Sequence, residues 1–522
     1  MSRQVRGFDM DVRTVVHFAA FTRVLTLVLQ AVFNALVPDH AADAFRPPRA
    51  EEARLLDGGA ELLLGGLSRW DAEHFLFIAE HGYLYEHNHA FFPLLPLCLR
   101  GLAVGLQPLA GWLTVRGRLL VAVALLNSAL GVLSAVALYR LGRAVLRDRR
   151  LALLSSLLFC LSPANVFLSA GYSEGLFSAL TFGGVWLLEG RSVLGGCLLL
   201  SLATATRANG LVNVGFLLYL PLRWALARGG AVWGGAGGSS RLLRLAGIGF
   251  SYLLTAALGS ALIALPFAVF QLYSYSTFCS PSLRPGQVPP PLLALAEVKG
   301  YRIADATRPP PPWCEWSPPL LYSYIQEVYW DVGFLRYFQL RQTPNFLLAL
   351  PAALLVTMAT WSYAAASPAL CLRLGLWGGR VTWGGEKPAP GFLSPQVFVY
   401  VAHAGILLAF AFFCMHVQVL TRFLASSSPV LYWFSAHLLL LHEPLLKEEE
   451  EQEEQEEQKE QDSPVCLPRA VTVWTQLLPH NAVTQLLLQW RSSSTLSRWL
   501  LGYFISYWLL GLALHCNFLP WT

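Results

Sequence analysis

Long apolar runs separated by short polar breaks set the pattern of this chain. Val15 to Val37 is the first run, and each such run is read against the roughly twenty residues that a helix needs to cross bilayer hydrocarbon. Leu119 to Leu138 is a clear second. Leu151 to Leu168 and Leu176 to Leu188 form a pair broken by Ser169-Ala-Gly-Tyr-Ser-Glu174. Leu194 to Ala203 and Leu211 to Leu222 flank Thr206-Arg-Ala-Asn-Gly210. Leu245 to Phe270, Phe346 to Ala365, Val397 to Phe413 and Trp499 to Leu514 follow, with a shorter run from Val430 to Leu441. Phe91 to Leu106 is apolar but carries Pro93, Pro96 and Arg100, so it reads either way. The pattern predicts an all-α polytopic membrane protein of about ten transmembrane helices, with short helices on the loops between them.

Composition agrees. Of 522 residues, 55% are hydrophobic and 13% charged, against about 25% charged in a soluble domain. The lipid bilayer is therefore a partner. The net charge of +5 is spread over loops without a basic block or nucleic-acid motif, which leaves no case for binding nucleic acid. The nine cysteines form no C-x-x-C pair. Cys279 and Cys314 share a polar loop. They pair if that loop faces an oxidising lumen; free thiols are the alternative.

Arginines fix the expected orientation. Arg3, Arg6 and Arg13 precede the first run, and with Arg23 inside it they read as an uncleaved signal anchor with a cytoplasmic N-terminus. Arg140 to Arg150, Arg223 to Arg244, and Arg373 to Lys387 mark cytoplasmic loops. Two long regions, 38–117 and 271–345, then fall on the other side. Lys447 to Asp462 (KEEEEQEEQEEQKEQD) has no apolar face and reads as a solvated insert within one membrane domain spanning 1–522. No internal repeat of 20 to 50 residues is visible, which weighs against a transporter.

The first of these regions holds the sharpest chemistry, GGLSRWDAEHFLFIAEHGYLYEHNHAFFPLLPL from Gly65. Ser68 is expected to cap a helix starting near Trp70, with Asp71, His74 and Ile78 on one face and Glu73, Phe77 and Glu80 on another. One reading of Ser68 with Asp71 is an S-x-x-D capping box. The other is that Asp71 is a base at the membrane surface, within reach of a substrate hydroxyl. Trp70 and neighbouring aromatics offer faces to a sugar. Asp71 and Glu73 lie two residues apart and point differently on a helix, unlike the paired carboxylates of a hydrolase. No histidine here forms an H-E-x-x-H or similar pair, so no metal is expected.

Charges inside apolar segments are costly and tend to be paired or functional, which singles out Glu174 and Arg207, with Asn165 and Tyr172 placed beside Glu174 around one broken helix end. A structural helix–helix network is the alternative. Lys299-Gly-Tyr-Arg302, Trp313-Cys-Glu-Trp316 and Tyr322 to Asp331 put cations beside aromatics. That suits either a phosphate with sugar rings or an interfacial aromatic belt. Leu393-Ser-Pro-Gln-Val397, Met415-His-Val-Gln-Val-Leu-Thr-Arg422 and the terminal Asn517-Phe-Leu-Pro-Trp-Thr522 are distinctive without suggesting a mechanism.

The stretches GGLSRWDAEHFLFIAEHGYLYEHN, FCLSPANVFLSAGYSEGLF, KGYRIA, NFLLALP, FLSPQVFVYV, MHVQVLTRFL and LGYFISYWLLGLALHCNFLPWT closely resemble the PIG-V family of glycosylphosphatidylinositol (GPI) mannosyltransferases. The resemblance runs from the first loop to the last residue. The glutamate-rich insert and Gly229 to Ser240 depart from it. It implies a multi-pass endoplasmic reticulum enzyme of the GT-C class, with its catalytic carboxylate in the first luminal loop. It further implies transfer of the second mannose, in α-1,6 linkage, from dolichyl phosphate mannose to a GPI precursor glycolipid. On this basis Asp71 is the expected catalytic base, taking a proton from the acceptor 6-hydroxyl in a single inverting displacement. Trp70, Glu73, His74, Tyr172, Glu174, Arg207 and Arg302 are expected to bind substrate, with Arg207, Arg302 or His74 beside the leaving phosphate. No cofactor is expected. A small membrane partner subunit stays open, as do a glycolipid transporter and a non-catalytic subunit as rival readings.

Overall fold

The apolar runs become helices because a backbone in hydrocarbon must bond every N–H and C=O within itself. The computed structural model describes residues 2–49, 51–234, 240–280, 288–307, 309–376, 390–447 and 479–521. Among these residues there is no strand, only an isolated antiparallel bridge between Tyr85 and Ile303. The helices are α1 (Ser2–Leu36), α2 (Asp57–Leu64), α3 (Asp71–His81), α4 (Leu94–Gly105), α5 (Val115–Leu146), α6 (Arg149–Cys160), α7 (Asn165–Ser169), α8 (Glu174–Glu189), α9 (Val193–Thr206) and α10 (Val214–Gly234). After these come α11 (Ser240–Phe278), α12 (Pro290–Lys299), α13 (Leu321–Tyr324), α14 (Thr343–Ala366), α15 (Pro368–Leu372), α16 (Phe398–Cys414), α17 (Leu420–Ser427), α18 (Val430–His442), α19 (Ala482–Leu488) and α20 (Thr495–His515).

The chain is thus an all-α polytopic membrane protein. Among the described residues, six helical segments are long and apolar enough to span, and a seventh is added if α17 and α18, bent by 77°, count as one. Length and composition alone do not reach the expected count of about ten. The reason lies in the polar breaks. The run Leu151 to Leu168 splits at Leu161–Ala164 into α6 and α7, and α6, α8 and α9 have 12, 16 and 14 residues. Phe91 to Leu106 resolves as the 12-residue α4, too short to cross. Gln271 sits within α11, so the second long loop begins at Cys279. That cysteine forms a disulfide with Cys314. The glutamate-rich insert lies outside the described residues apart from Lys447.

α5 is the central pillar, packed against α1, α4, α6 and α8. α8 and α9 approach closely through small residues: a Cβ on Gly184 would lie 2.8 Å from Leu200 Cδ2, and one on Gly196 2.6 Å from Leu188 Cγ. At one end of the bundle Asp11 accepts hydrogen bonds from Tyr139 (2.6 Å) and Arg149 (2.7 and 2.8 Å), and the Gly391 N–H donates to the Leu146 carbonyl. At the other end α2, α3, α4 and the loop after α11 form a cap. Glu86, 1% exposed, joins its two halves by accepting from Trp313 Nε1 at 2.9 Å and Tyr329 Oη at 2.7 Å. Beneath this cap the breaks α7–α8, α9–α10 and α16–α17 meet around one cavity.

Candidate active site

The path of the chain into α3 sets the first functional group. Ser68 closes a 3-10 turn (Gly65–Ser68), and its hydroxyl donates to the Gly65 carbonyl at 2.8 Å. It does not cap α3. The N-cap position is Trp70, at φ 57° and ψ −128°, with no side-chain cap bond. That left-handed conformation costs a non-glycine residue about 1–3 kcal/mol. The expected capping box is therefore absent, because the 3-10 turn consumes Ser68 and the left-handed residue redirects the chain before α3 begins. Asp71 is left as the first helical residue, its backbone N–H donating to Tyr172 Oη at 3.2 Å.

The Asp71 carboxylate meets Arg422 instead. Both Nη1 and Nη2 of Arg422 lie 3.0 Å from Asp71 Oδ2. Among the described residues nothing bonds Asp71 Oδ1, and the side chain is 41% exposed. Behind this pair lies Glu174, whose side chain is 1% exposed. Its Oε1 is 2.5 Å from Arg207 Nη1, at angles that fall short of a hydrogen bond, and 3.8 Å from Arg422 Nη1. Arg207 Nη1 also donates to Ser173 Oγ at 3.3 Å. Two carboxylates and two guanidiniums thus alternate as Asp71, Arg422, Glu174, Arg207, and the Arg422 guanidinium rests over the Phe167 and Tyr172 rings at 5.0 and 5.4 Å. An alternating array of this kind is what lets four charges coexist at the edge of a low-dielectric bundle.

All four line a cavity of about 660 Å³, within the usual range of about 300–1,000 Å³ for ligand sites. Apolar and aromatic side chains make up the rest of the wall, among them Phe91, Tyr322, Trp330 and Phe423, with the amides of Asn209, Gln326 and Gln418 interspersed. Gln418 Oε1 accepts from Tyr337 Oη at 3.2 Å, and among the described residues its amide N–H groups have no acceptor. The cavity therefore offers a carboxylate oxygen, two cations, sugar-sized aromatic faces and a long apolar wall.

Of the residues expected at the site, the structure brings Asp71, Tyr172, Glu174 and Arg207 together on this cavity. The other four lie off its wall. Glu73 turns outward from α3 and takes Arg116 Nη2 at 2.6 Å. Trp70 packs against Phe518 with ring centroids 6.0 Å apart. Arg302 donates to the Pro309 carbonyl, while its own carbonyl accepts the Glu86 N–H. His74 is half-buried between Phe45 and Phe91, stacked on both at 4.3 and 4.6 Å. Sequence reasoning passed over Arg422. The cost of a charge within an apolar segment, which marked Glu174 and Arg207, applies equally to Arg422 in VLTRFL. Within the second loop, Trp313 is fully buried on Glu86, belonging neither to a lipid belt nor to the cavity, whereas Tyr322 and Trp330 line it.

Burial pushes His74, His87 and His89 each from the usual 6.5 down to about 3. The unfolded chain binds protons on these rings below 6.5 and the folded chain does not, so their stabilisation is complete above about pH 6.5 and is lost as pH falls toward 3. At pH 5 each ring is expected to cost about 2 kcal/mol. Melting of the detergent-solubilised protein at pH 7.5 and pH 5 checks this. A marked drop is expected, smaller in His74→Phe, and equal melting temperatures would contradict it.

Comparison with known proteins places these features in context. The family model described as Mannosyltransferase (PIG-V) matches residues 12–522. The GPI alpha-1,6-mannosyltransferase 2 of Cricetulus griseus is 53% identical over 520 residues, covering 99% of this chain and 100% of the relative. That of Homo sapiens is 51% identical over 515 residues, 98% and 99% respectively. The GPI mannosyltransferase 2 of Drosophila melanogaster is 32% identical over 430 residues, 81% of this chain and 90% of the relative.

Proposed function

The chain belongs to the PIG-V mannosyltransferase family, and from that premise we propose that it transfers the second mannose, in α-1,6 linkage, from dolichyl phosphate mannose to a GPI precursor at the cavity that holds Asp71. It is an enzyme that transfers mannose and acts in GPI-anchor biosynthesis, and family membership stands against the transporter and non-catalytic readings. The observation that carries the assignment of the site is the Asp71–Arg422 pair on the wall of a cavity, with the buried Glu174 and its partner Arg207 behind it.

The chemistry follows from the groups present. Asp71 Oδ2 is held by Arg422, and Oδ1 is free to accept the proton of the acceptor hydroxyl as its oxygen attacks the anomeric carbon. The bond to phosphate breaks on the opposite face, so a β-linked donor gives an α-linked product. Arg207 and Arg422 supply positive charge where the leaving phosphate gains negative charge. Phosphate is already a competent leaving group, so the reaction needs no cofactor beyond its donor. The apolar wall suits a polyprenyl chain, while Tyr322, Trp330 and the three amides suit sugar faces and hydroxyls.

Orientation is part of the same reading. The loop that carries the Cys279–Cys314 disulfide also lends Tyr322, Gln326 and Trp330 to the cavity wall, and the disulfide favours an oxidising lumen. The opposite end gathers Arg143, Arg147, Arg149 and Arg150, which favours the cytosol by the positive-inside rule. The N-terminus is then cytoplasmic and the active site luminal in the endoplasmic reticulum. Mass analysis of glycolipids provides the test. Microsomes lacking this chain should stop at the one-mannose GPI intermediate, and adding the chain should extend it by one hexose. Accumulation at any other intermediate overturns the reading.

A further inference from the structure

The residue before Asp71 has no reason, by its own chemistry, to adopt the backbone it does. Trp70 at φ 57° and ψ −128° occupies the first central position of a type II′ turn, where glycine is the default. Such a conformation persists only where the surroundings over-determine it. Its indole Nε1 is buried and has no hydrogen-bond partner among the described residues, so no polar contact fixes the ring. What does touch it is the end of the chain. Phe518, 6% exposed, meets the Trp70 ring edge-on at 61°.

Phe518 is itself held. The Arg46 and Arg69 guanidiniums lie over its ring at 4.2 and 4.8 Å. Arg69 is immobilised in turn by the Cys516 carbonyl (Nε, 3.1 Å), Asn34 Oδ1 (2.9 Å) and Asp39 (3.2 Å). The His40 N–H donates to the Asn517 carbonyl at 2.9 Å. The same segment presses on the turn that precedes Trp70. A Cβ on Gly66 would lie 2.9 Å from Cys516 Cβ, so this backbone approach requires glycine. The Leu67 carbonyl, opposite, accepts the Gly171 N–H at 2.8 Å, pinning the turn to the α7–α8 break. One residue from Cys516, His515 Nε2 lies 3.4 Å from Tyr172 Oη, the hydroxyl that receives the Asp71 N–H.

We propose that the C-terminal segment Cys516–Trp521 is a positioning element of the active site, in which Phe518 buttresses Trp70 in its left-handed conformation and so aims Asp71 into the cavity. Trp70 then serves through its backbone and its packing, and is not a platform for sugar. The proposal rests on the reading of Asp71 as the base. The energetic demand falls on the Trp70 backbone, which glycine satisfies without help and alanine does not.

That asymmetry is the test. Transfer to the one-mannose GPI precursor is measured in microsomes carrying Trp70→Gly, Trp70→Ala, Trp70→Phe, Phe518→Ala or the double variant Trp70→Gly/Phe518→Ala, normalised to the amount of folded chain. Displacing a reacting group by about 1 Å costs on the order of 100-fold, so Trp70→Ala should lose about that much turnover with the acceptor KM unchanged. Trp70→Gly should turn over at least about tenfold faster than Trp70→Ala, and Trp70→Phe, which keeps a ring against Phe518, should stay near the wild type. Phe518→Ala should lower kcat, and adding it to Trp70→Gly should cost nothing further.

Equal rates for Trp70→Gly and Trp70→Ala, or a rise in KM with kcat unchanged, overturn the proposal, because the ring itself would then be what the substrate uses. Should Phe518→Ala fail to accumulate, the glycine–alanine comparison at Trp70 still decides. The outcome for Asp71→Asn separates the two readings. Full activity in that variant removes the base and leaves the glycine–alanine ordering to report on the turn alone. Loss of activity with no such ordering removes only the buttress.

Discussion

Replacing Asp71 with asparagine is expected to lower mannose transfer by about 10²- to 10⁴-fold, the usual contribution of a positioned general base, without unfolding the protein. Asparagine has the shape of aspartate, and its carbonyl oxygen still accepts from Arg422, so the contact that ties α3 to α17 survives. The Asp71 backbone N–H to Tyr172 is untouched. What disappears is the proton acceptor. In cells lacking the native enzyme the variant should accumulate normally yet fail to restore GPI-anchored proteins at the cell surface, as read by flow cytometry. Normal restoration would mean that the Asp71–Arg422 contact is a structural ion pair and that another group takes the proton.

Arg422 carries the second large effect. It is the only described cation in contact with both carboxylates, at 3.0 Å from Asp71 and 3.8 Å from Glu174. Removing it in Arg422→Ala leaves Asp71 and Glu174 sharing a low-dielectric wall with Arg207 alone. Breaking a fully buried pair costs about 3–5 kcal/mol; in this array only Glu174 is fully buried and it keeps Arg207, so a smaller loss of stability is expected, and transfer should fall below about 1% of wild type by the combined loss of base orientation and phosphate charge. Arg422→Lys separates the two causes. Lysine keeps the charge but cannot present two fixed N–H groups to one oxygen, so the folded protein should persist with turnover reduced by about tenfold or more. Thermal stability and transfer rate of the same preparations check this. A lysine variant with wild-type kcat would contradict a bridging role.

Much of the site was legible because apolar surroundings make charges conspicuous. Glu174 and Arg207 were singled out by the cost of burying them, and the structure pairs them at 2.5 Å. Arg422 obeys the same rule, yet sits in a short amphipathic helix after a polar break, where a single arginine resembles an interfacial anchor. The cluster around Asp71 misled for a geometric reason. Glu73, two residues on from Asp71, points elsewhere on the helix and reaches Arg116, while His74, one turn along the same face, is taken up by the rings of Phe45 and Phe91, so of the three only Asp71 lines the cavity. The expected cap at Ser68 depended on an ordinary helix start, and nothing in the residue types announces a left-handed tryptophan. Hydropathy located the apolar runs but not how they divide. Breaks leave α6, α8 and α9 too short to be counted by length, and those between α7 and α8 and between α9 and α10 are what bring Tyr172, Glu174 and Arg207 to the cavity. The pairing of Cys279 with Cys314 was open in sequence, where both lie in one polar loop, and is present in the fold.

The central claim is that one carboxylate in this cavity takes the acceptor proton. Single-turnover transfer from dolichyl phosphate mannose to the one-mannose GPI precursor, by purified wild-type and Asp71→Asn protein side by side with donor affinity measured on both, tests it most directly. Donor affinity within about twofold and a transfer rate lower by at least about 100-fold is the result expected of a lost base. Equal transfer rates would contradict the account.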